Sequence, residues 1–255
     1  VLLVLVANTI NIGANIGAMA AAAGLIVPIN LAVLALIFTA SMLSLEIFTS
    51  YKVYSRILKW LCLSLLAYPI TVFIVTQPWG TLLKATFIPH IELNFQFLFI
   101  ITAVLGTTIS PYMFFWQTSQ EAFEEKDHHH NHNFQNDKKL EKEIKHMAGD
   151  VTFGMFFSNL IKFFIMLLAT TLFFGSGVKI QTIDEISRLL KPLLGDFGQL
   201  VFTLGIIGTG FLIIPILAAG SAYILSETFG WSGGLEKKFK KAKEFYLVII
   251  VSTIL

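Results

Sequence analysis

Gly106-Thr107-Thr108-Ile109-Ser110-Pro111-Tyr112-Met113-Phe114-Phe115-Trp116-Gln117 is the stretch on which the fold of this sequence turns. A glycine, three hydroxyl residues and a proline stand in the middle of an apolar run that extends from Phe95 to Gln117. Pro111 has no backbone N–H, and its ring collides with the carbonyl four residues earlier, at Thr107. A helix through this run is therefore expected to break or unwind between Gly106 and Pro111. The break frees carbonyl oxygens beside the hydroxyls of Thr107, Thr108 and Ser110. Oxygen donors suit a hard divalent cation, and discontinuous helices at membrane depth are where secondary transporters place their sites. The other reading is a proline kink whose freed carbonyl is satisfied by a Ser or Thr side chain.

Outward from this stretch the apolar runs repeat. They cover Val1 to Ile26, Ile29 to Ser50, Ile57 to Val75, Phe95 to Gln117, Val151 to Phe174, Phe197 to Ser226 and an incomplete one from Phe245. A hydrocarbon layer of ~30 Å needs about 20 apolar residues per helix, so each full run has the length of a span. Of the 255 residues, 55% are hydrophobic and 13% charged, and the mean hydropathy is +0.75. Such a surface calls for lipid rather than water. The runs are too long for barrel strands and lack their alternation. The expectation is an all-α, polytopic membrane protein with about seven transmembrane segments forming a single transmembrane domain over residues 1–255. Val1 already lies inside an apolar run, and the run from Phe245 ends at Leu255 after about half a span. The sequence is accordingly expected to be an internal piece of a longer chain.

Basic residues set the orientation. Thirteen Lys and Arg fall in or beside the connections 51–57, 121–146 and 231–244, among them Lys52, Arg56, Lys138, Lys142, Lys237 and Lys241. The alternate connections hold four, Lys84, Lys179, Arg188 and Lys191. By the positive-inside rule the first set is cytoplasmic, in what is expected to be a plasma (inner) membrane protein. Trp79 to Phe87 and Ile183 to Leu194 are amphipathic and are expected as short helices at the outer interface.

Polar residues inside spans are costly and so informative. Asn8, Asn11 and Asn15 recur at spacings of three and four, which puts three amides on one helix face. They line a hydrated pathway or bond to neighbouring helices, and both readings are open. Tyr112 and Gln117 are further pathway candidates. Gly205-Ile206-Ile207-Gly208-Thr209-Gly210 superficially resembles a phosphate loop, but it has no Lys, follows no strand and lies in a span, so no nucleotide is expected there. Flexibility or close packing explains it better. The polar connection 121–146 carries His128, His129, His130 and His132. These form either an accessory site for a transition metal or a low-complexity linker. Glu46 is the deepest acid, four residues from Ser50.

Several classes are excluded. No Ser-His-Asp set, HExxH motif or paired carboxylates occur, so the chain is not expected to be an enzyme. The lone Cys62 builds no disulfide or thiolate metal site. The net charge of +2, without interleaved exposed aromatics, does not fit nucleic acid.

Asn8 to Ala20, Thr107 to Glu121, and Gly205 to Phe245 with Glu227-Thr228-Phe229-Gly230-Trp231 resemble the Nramp-type metal transporters, most closely their Nramp-related magnesium branch. The resemblance covers nearly the whole chain. It implies a LeuT-type bundle of two inverted repeats, here incomplete, running from the third transmembrane helix to the start of the ninth. It also implies a metal site at the unwound centres of the first and sixth helices, the sixth being Phe95 to Gln117. The substrate is a divalent metal ion and no cofactor is implied. Transition-metal members carry Ala, two residues, then Met-Pro-His in the sixth helix. Matched on Pro111, those positions hold Thr107, Ser110 and Tyr112. Loss of the thioether makes the site harder, favouring magnesium, with manganese admitted. Proton-coupled members have Asp, two residues, then Glu in the third helix, where this sequence has Asn11 and Ala14. The resemblance thus implies transport without proton coupling. A LeuT-type carrier of amino acids or other small organic solutes is the alternative, and a membrane scaffold or receptor with a metal-binding loop a more distant one.

Overall fold

The computed structural model describes residues 1–49, 51–75, 77–88, 91–108, 117–119, 137–173, 183–235 and 237–255. All regular structure among them is helical. The helices are α1 (Leu2–Gly24), α2 (Leu31–Phe48), α3 (Tyr51–Leu61), α4 (Ala67–Ile74), α5 (Trp79–Phe87), α6 (Phe95–Thr108), α7 (Asp137–Phe173), α8 (Ile183–Phe229) and α9 (Lys243–Ile254).

Local chemistry explains the boundaries. The Asn30 side chain accepts from Ala32 N at 2.8 Å and so starts α2, while Asn94 accepts from Phe97 N at 2.8 Å to start α6. Each satisfies a donor that the first turn leaves orphaned. A 3₁₀ turn, Cys62–Leu66, joins α3 to α4. Pro69 cannot donate to the carbonyl four residues back, at Leu65, and the tighter winding lies just ahead of it. Within the helices, hydroxyls turn back onto their own backbone. Thr39 bonds Ala35 O, Thr71 bonds Ala67 O, Thr209 bonds Gly205 O and Thr253 bonds Ile249 O, at 2.7–2.9 Å. In hydrocarbon this is the economical way to satisfy a polar group.

Five helical stretches are long and apolar enough to cross a membrane: Leu2–Gly24, Leu31–Phe48, Arg56–Ile74, Ile144–Thr171 and Gln199–Phe229. The protein is an all-helical polytopic membrane protein. Of the seven expected spans these are five. The sixth is represented by α6, whose apolar part Phe95–Gly106 is shorter, and the seventh by the 12 residues of α9. Three boundaries differ from expectation. Tyr51 to Ile57, placed in a cytoplasmic connection, is helical and opens α3. Ile183 to Leu194 is not a separate helix but the start of α8, which runs for 47 residues. Asp137 to His146, placed in a cytoplasmic connection, is helical and continuous with the span that follows. Its Lys-Lys-Leu-Glu-Lys-Glu-Ile-Lys run consists of good helix formers and contains no breaker.

The bundle packs around α8. One core cluster joins Ile12, Ile16 and Met19 of α1, Met42 of α2, Ile214, Leu217 and Tyr223 of α8, and Phe245, Tyr246 and Ile249 of α9. A second joins Tyr68 and Val72 of α4, Ile161, Leu167 and Leu168 of α7, and Phe202 of α8. Small residues bring the backbones close, as membrane helices require. A Cβ at Gly205 would stand 3.1 Å from the Ala67 Cβ, and one at Gly208 would overlap Ser64. Of the two readings of the Gly205 to Gly210 run, the packing supports close approach. Outward-facing residues are large and apolar: Leu3, Phe48, Phe87 and Phe95 are 81–85% exposed, a surface matched to lipid.

Candidate functional site

The amide row on α1 divides in two. Asn8 is buried, and its Nδ2 donates to Ser221 Oγ at 2.9 Å and to Leu217 O at 3.4 Å. The Ser221 hydroxyl donates in turn to Leu217 O at 2.9 Å. Asn8 is therefore an interhelical clasp between α1 and α8. It lies on the face of Ile12, Ile16, Met19 and Ala20, all buried, and turns into the bundle with them.

Asn11 and Asn15 occupy the margin of that face and are half-buried. Asn15 Nδ2 donates to Asn11 Oδ1 at 2.9 Å and to Asn11 O at 2.8 Å. The two side chains form a pair one turn apart. No carboxylate or other ionisable side chain occurs anywhere in α1.

The oxygen cluster expected around Pro111 falls mostly outside the described residues. Ser110, Pro111 and Tyr112 lie there, as do His128, His129, His130 and His132. Of the remainder, Thr107 belongs to the last turn of α6, and Thr108 donates its hydroxyl to Val104 O at 2.8 Å. Gly106 is exposed, with nothing within 4 Å of where a Cβ would stand.

Beyond that stretch residues 117–119 are helical. Gln117 is exposed, and Ser119 is buried and donates to Glu227 Oε1 at 2.5 Å. This bond ties the chain after Pro111 to the far end of α8. The sequence carries no periodic or motif signal for it, because the partners are 108 positions apart.

Tyr68 Oη and Thr209 Oγ1 lie 3.3 Å apart across the α4–α8 contact, and Gln199 Nε2 donates to Leu25 O at 3.1 Å. Both cross-links are structural. Among the described residues no three His, Cys, Asp or Glu side chains gather where they could hold a metal. The described atoms thus supply a packed scaffold with amides along one edge.

The family model for natural resistance-associated macrophage protein-like (Nramp) sequences matches residues 1–255. The chain is 27% identical over 147 residues to the divalent metal cation transporter MntH of Caldanaerobacter subterraneus, covering 57% of this chain and 33% of that protein. It is 26% identical over 144 residues to the protein of the same name from Clostridium acetobutylicum, covering 56% and 32%. With that of Mesorhizobium japonicum it shares 24% over 169 residues, covering 64% and 35%. The matched stretch spans about a third of the length of these relatives. No solved structure matches.

Proposed function

The chain belongs to the Nramp family, and from that membership we propose that the full-length protein is a secondary transporter of divalent metal cations. The observation that carries this reading is the family match over the entire chain, joined to similarity with relatives named as divalent metal cation transporters. The bundle is of the LeuT type, with connections 51–57, 121–146 and 231–244 on the cytoplasmic side of the plasma membrane.

The ion is a hard one, magnesium first and manganese second. Its ligands in this chain are oxygens of Thr107, Thr108 and Ser110, released where Gly106 and Pro111 interrupt the helix, with Tyr112 and Gln117 along the path. Hydroxyl and carbonyl oxygens favour magnesium and calcium, whereas the thioether they replace favours softer metals.

Movement of the ion is not coupled to protons through α1. What supports this is that Asn11 and Ala14 stand where the resemblance puts the acid pair, with the Asn11 amide bonded to that of Asn15. Amides neither gain nor lose a proton in the accessible pH range.

Reconstitution of the full-length protein in liposomes tests the reading. Saturable manganese and magnesium uptake down the gradient, with no acidification reported by a lumenal dye, is expected. Absence of uptake for every divalent ion would overturn the function, and acidification alongside uptake would overturn its uncoupled character.

A further inference from the structure

We propose that Glu46 is a proton-binding site inside the membrane bundle, its carboxyl group carrying a proton in the packed arrangement of α2 against α1, α8 and α9. The inference is independent of which ion the protein moves.

The placement of the side chain comes first. Leu34, Phe38, Met42 and Glu46 follow one another in steps of four along α2, so they share one face. Leu34 and Met42 are buried and Phe38 is half-buried against the cores. Glu46 continues that stripe inward rather than toward lipid, and it is 5% exposed.

The surroundings come second. Both carboxyl oxygens are buried with no hydrogen-bond partner among the described residues. Asn8, Thr203, Ser221, Ser252 and Thr253 in the same bundle all have partners. Ser64 Oγ, Gln77 Nε2 and Ser226 Oγ share the lack of one with Glu46, but none of those three groups is a carboxyl, so Glu46 is the one among these unpartnered side chains whose charge is at stake.

Among the described side chains, the ionisable groups on each packing helix offer it no counter-charge. α1 contains none. On α8, Tyr223 accepts from Leu235 N, and Glu227 is exposed and bonded to Ser119. On α9, Lys243 and Glu244 are exposed, and Tyr246 donates to Lys237 O. Arg56, downstream on α3, is exposed. The buried titratable side chains described on α8 and α9 are thus two phenols, each with a hydrogen-bond partner of its own.

An ionised carboxylate in such a place loses its hydration and gains nothing in return. A divalent metal does not remedy this, since it requires about six oxygen ligands and Glu46 supplies two. A proton needs only one oxygen, and its binding forms an O–H bond with no other reactant. The charge disappears with it. Glu46 lies two residues from the end of α2 at Phe48, so a small parting of that end exposes it to water. Release of the proton favours conformations in which this has happened, by the differential affinity of the two states.

Infrared difference spectroscopy on the full-length protein in lipid tests the proposal without any transport measurement. At neutral pH the wild type is expected to show the carbonyl stretch of a protonated carboxyl that Glu46→Gln lacks and Glu46→Asp displaces. On alkaline titration the band should disappear, and amide exchange over residues 42–48, corrected for its intrinsic pH dependence, should rise about fivefold in the wild type and stay level in Glu46→Gln. Identical wild-type and Glu46→Gln spectra would overturn the proposal. So would pH-independent exchange in the wild type. Neither result bears on whether a divalent ion is carried.

Discussion

The amide of Asn8 reaches the hydroxyl of Ser221 at 2.9 Å, linking residues 213 positions apart in the middle of the packed bundle. Asn8→Ala leaves that hydroxyl with only its own helix carbonyl, and Ser221→Ala leaves the amide with a 3.4 Å contact to Leu217 O. Each single change is expected to cost about 1–3 kcal/mol. A double-mutant cycle by reversible unfolding in detergent should return a coupling of ~0.6 kcal/mol, the average for hydrogen bonds between membrane helices, and no more than about 1.7 kcal/mol. Additive single effects would mean that the clasp contributes nothing.

Gly208 and Gly106 make a matched contrast. A methyl group at Gly208 overlaps the Ser64 side chain close to its backbone, whereas at Gly106 it meets open space. Gly208→Ala is expected to destabilise by about 1–3 kcal/mol and Gly106→Ala to be neutral or to stabilise by up to ~1 kcal/mol. Thermal melting of the two variants side by side decides it, and equal shifts would contradict the packing described.

Ser119→Ala removes the bond to Glu227 that holds the segment following Pro111 against α8. Amide exchange at residues 117–119 is expected to rise about fivefold, equivalent to roughly 1 kcal/mol. Glu227→Gln, which keeps an oxygen acceptor, should have a smaller effect. An unchanged exchange pattern in Ser119→Ala would show the segment to be held by other contacts.

Ser110→Met puts a thioether at the position where the Nramp resemblance implies one in transition-metal members. The ratio of manganese or cadmium uptake to magnesium uptake in proteoliposomes should increase on the order of tenfold, about 1.4 kcal/mol of preference. A ratio that does not move would place Ser110 outside the ligand set.

Much of this architecture was legible in the residues because lipid imposes a simple rule: spans must be long, apolar and helical. Apolar run length located Leu2–Gly24, Leu31–Phe48 and Gln199–Phe229 within a few residues. It failed at Ile183 to Leu194, where amphipathic composition suggested a separate piece, whereas α8 runs on through Pro192 and Gly195 into the span. The spacing of Asn8, Asn11 and Asn15 placed them near one face, but could not tell which amide faces a partner, since that depends on the helix opposite. Ser221 decides it for Asn8. Glu46 was recognisable as the deepest acid. That it sits on the Leu34–Met42 stripe without a partner follows only from the packing. The Pro111 stretch, where the ion site is proposed, is legible only through backbone chemistry, since it lies outside the described residues.

Because α8 contributes side chains to both core clusters, it acts as the axle of the assembly. Phe202 seats α4 and α7 on one side, while Leu217 and Tyr223 seat α1, α2 and α9 on the other. If the two groups swing past each other during a cycle, they pivot about a common shaft whose glycines let neighbours ride close. Distance probes anchored on Gln199–Phe229 are then the natural frame of reference, against which the excursions of every other helix are read.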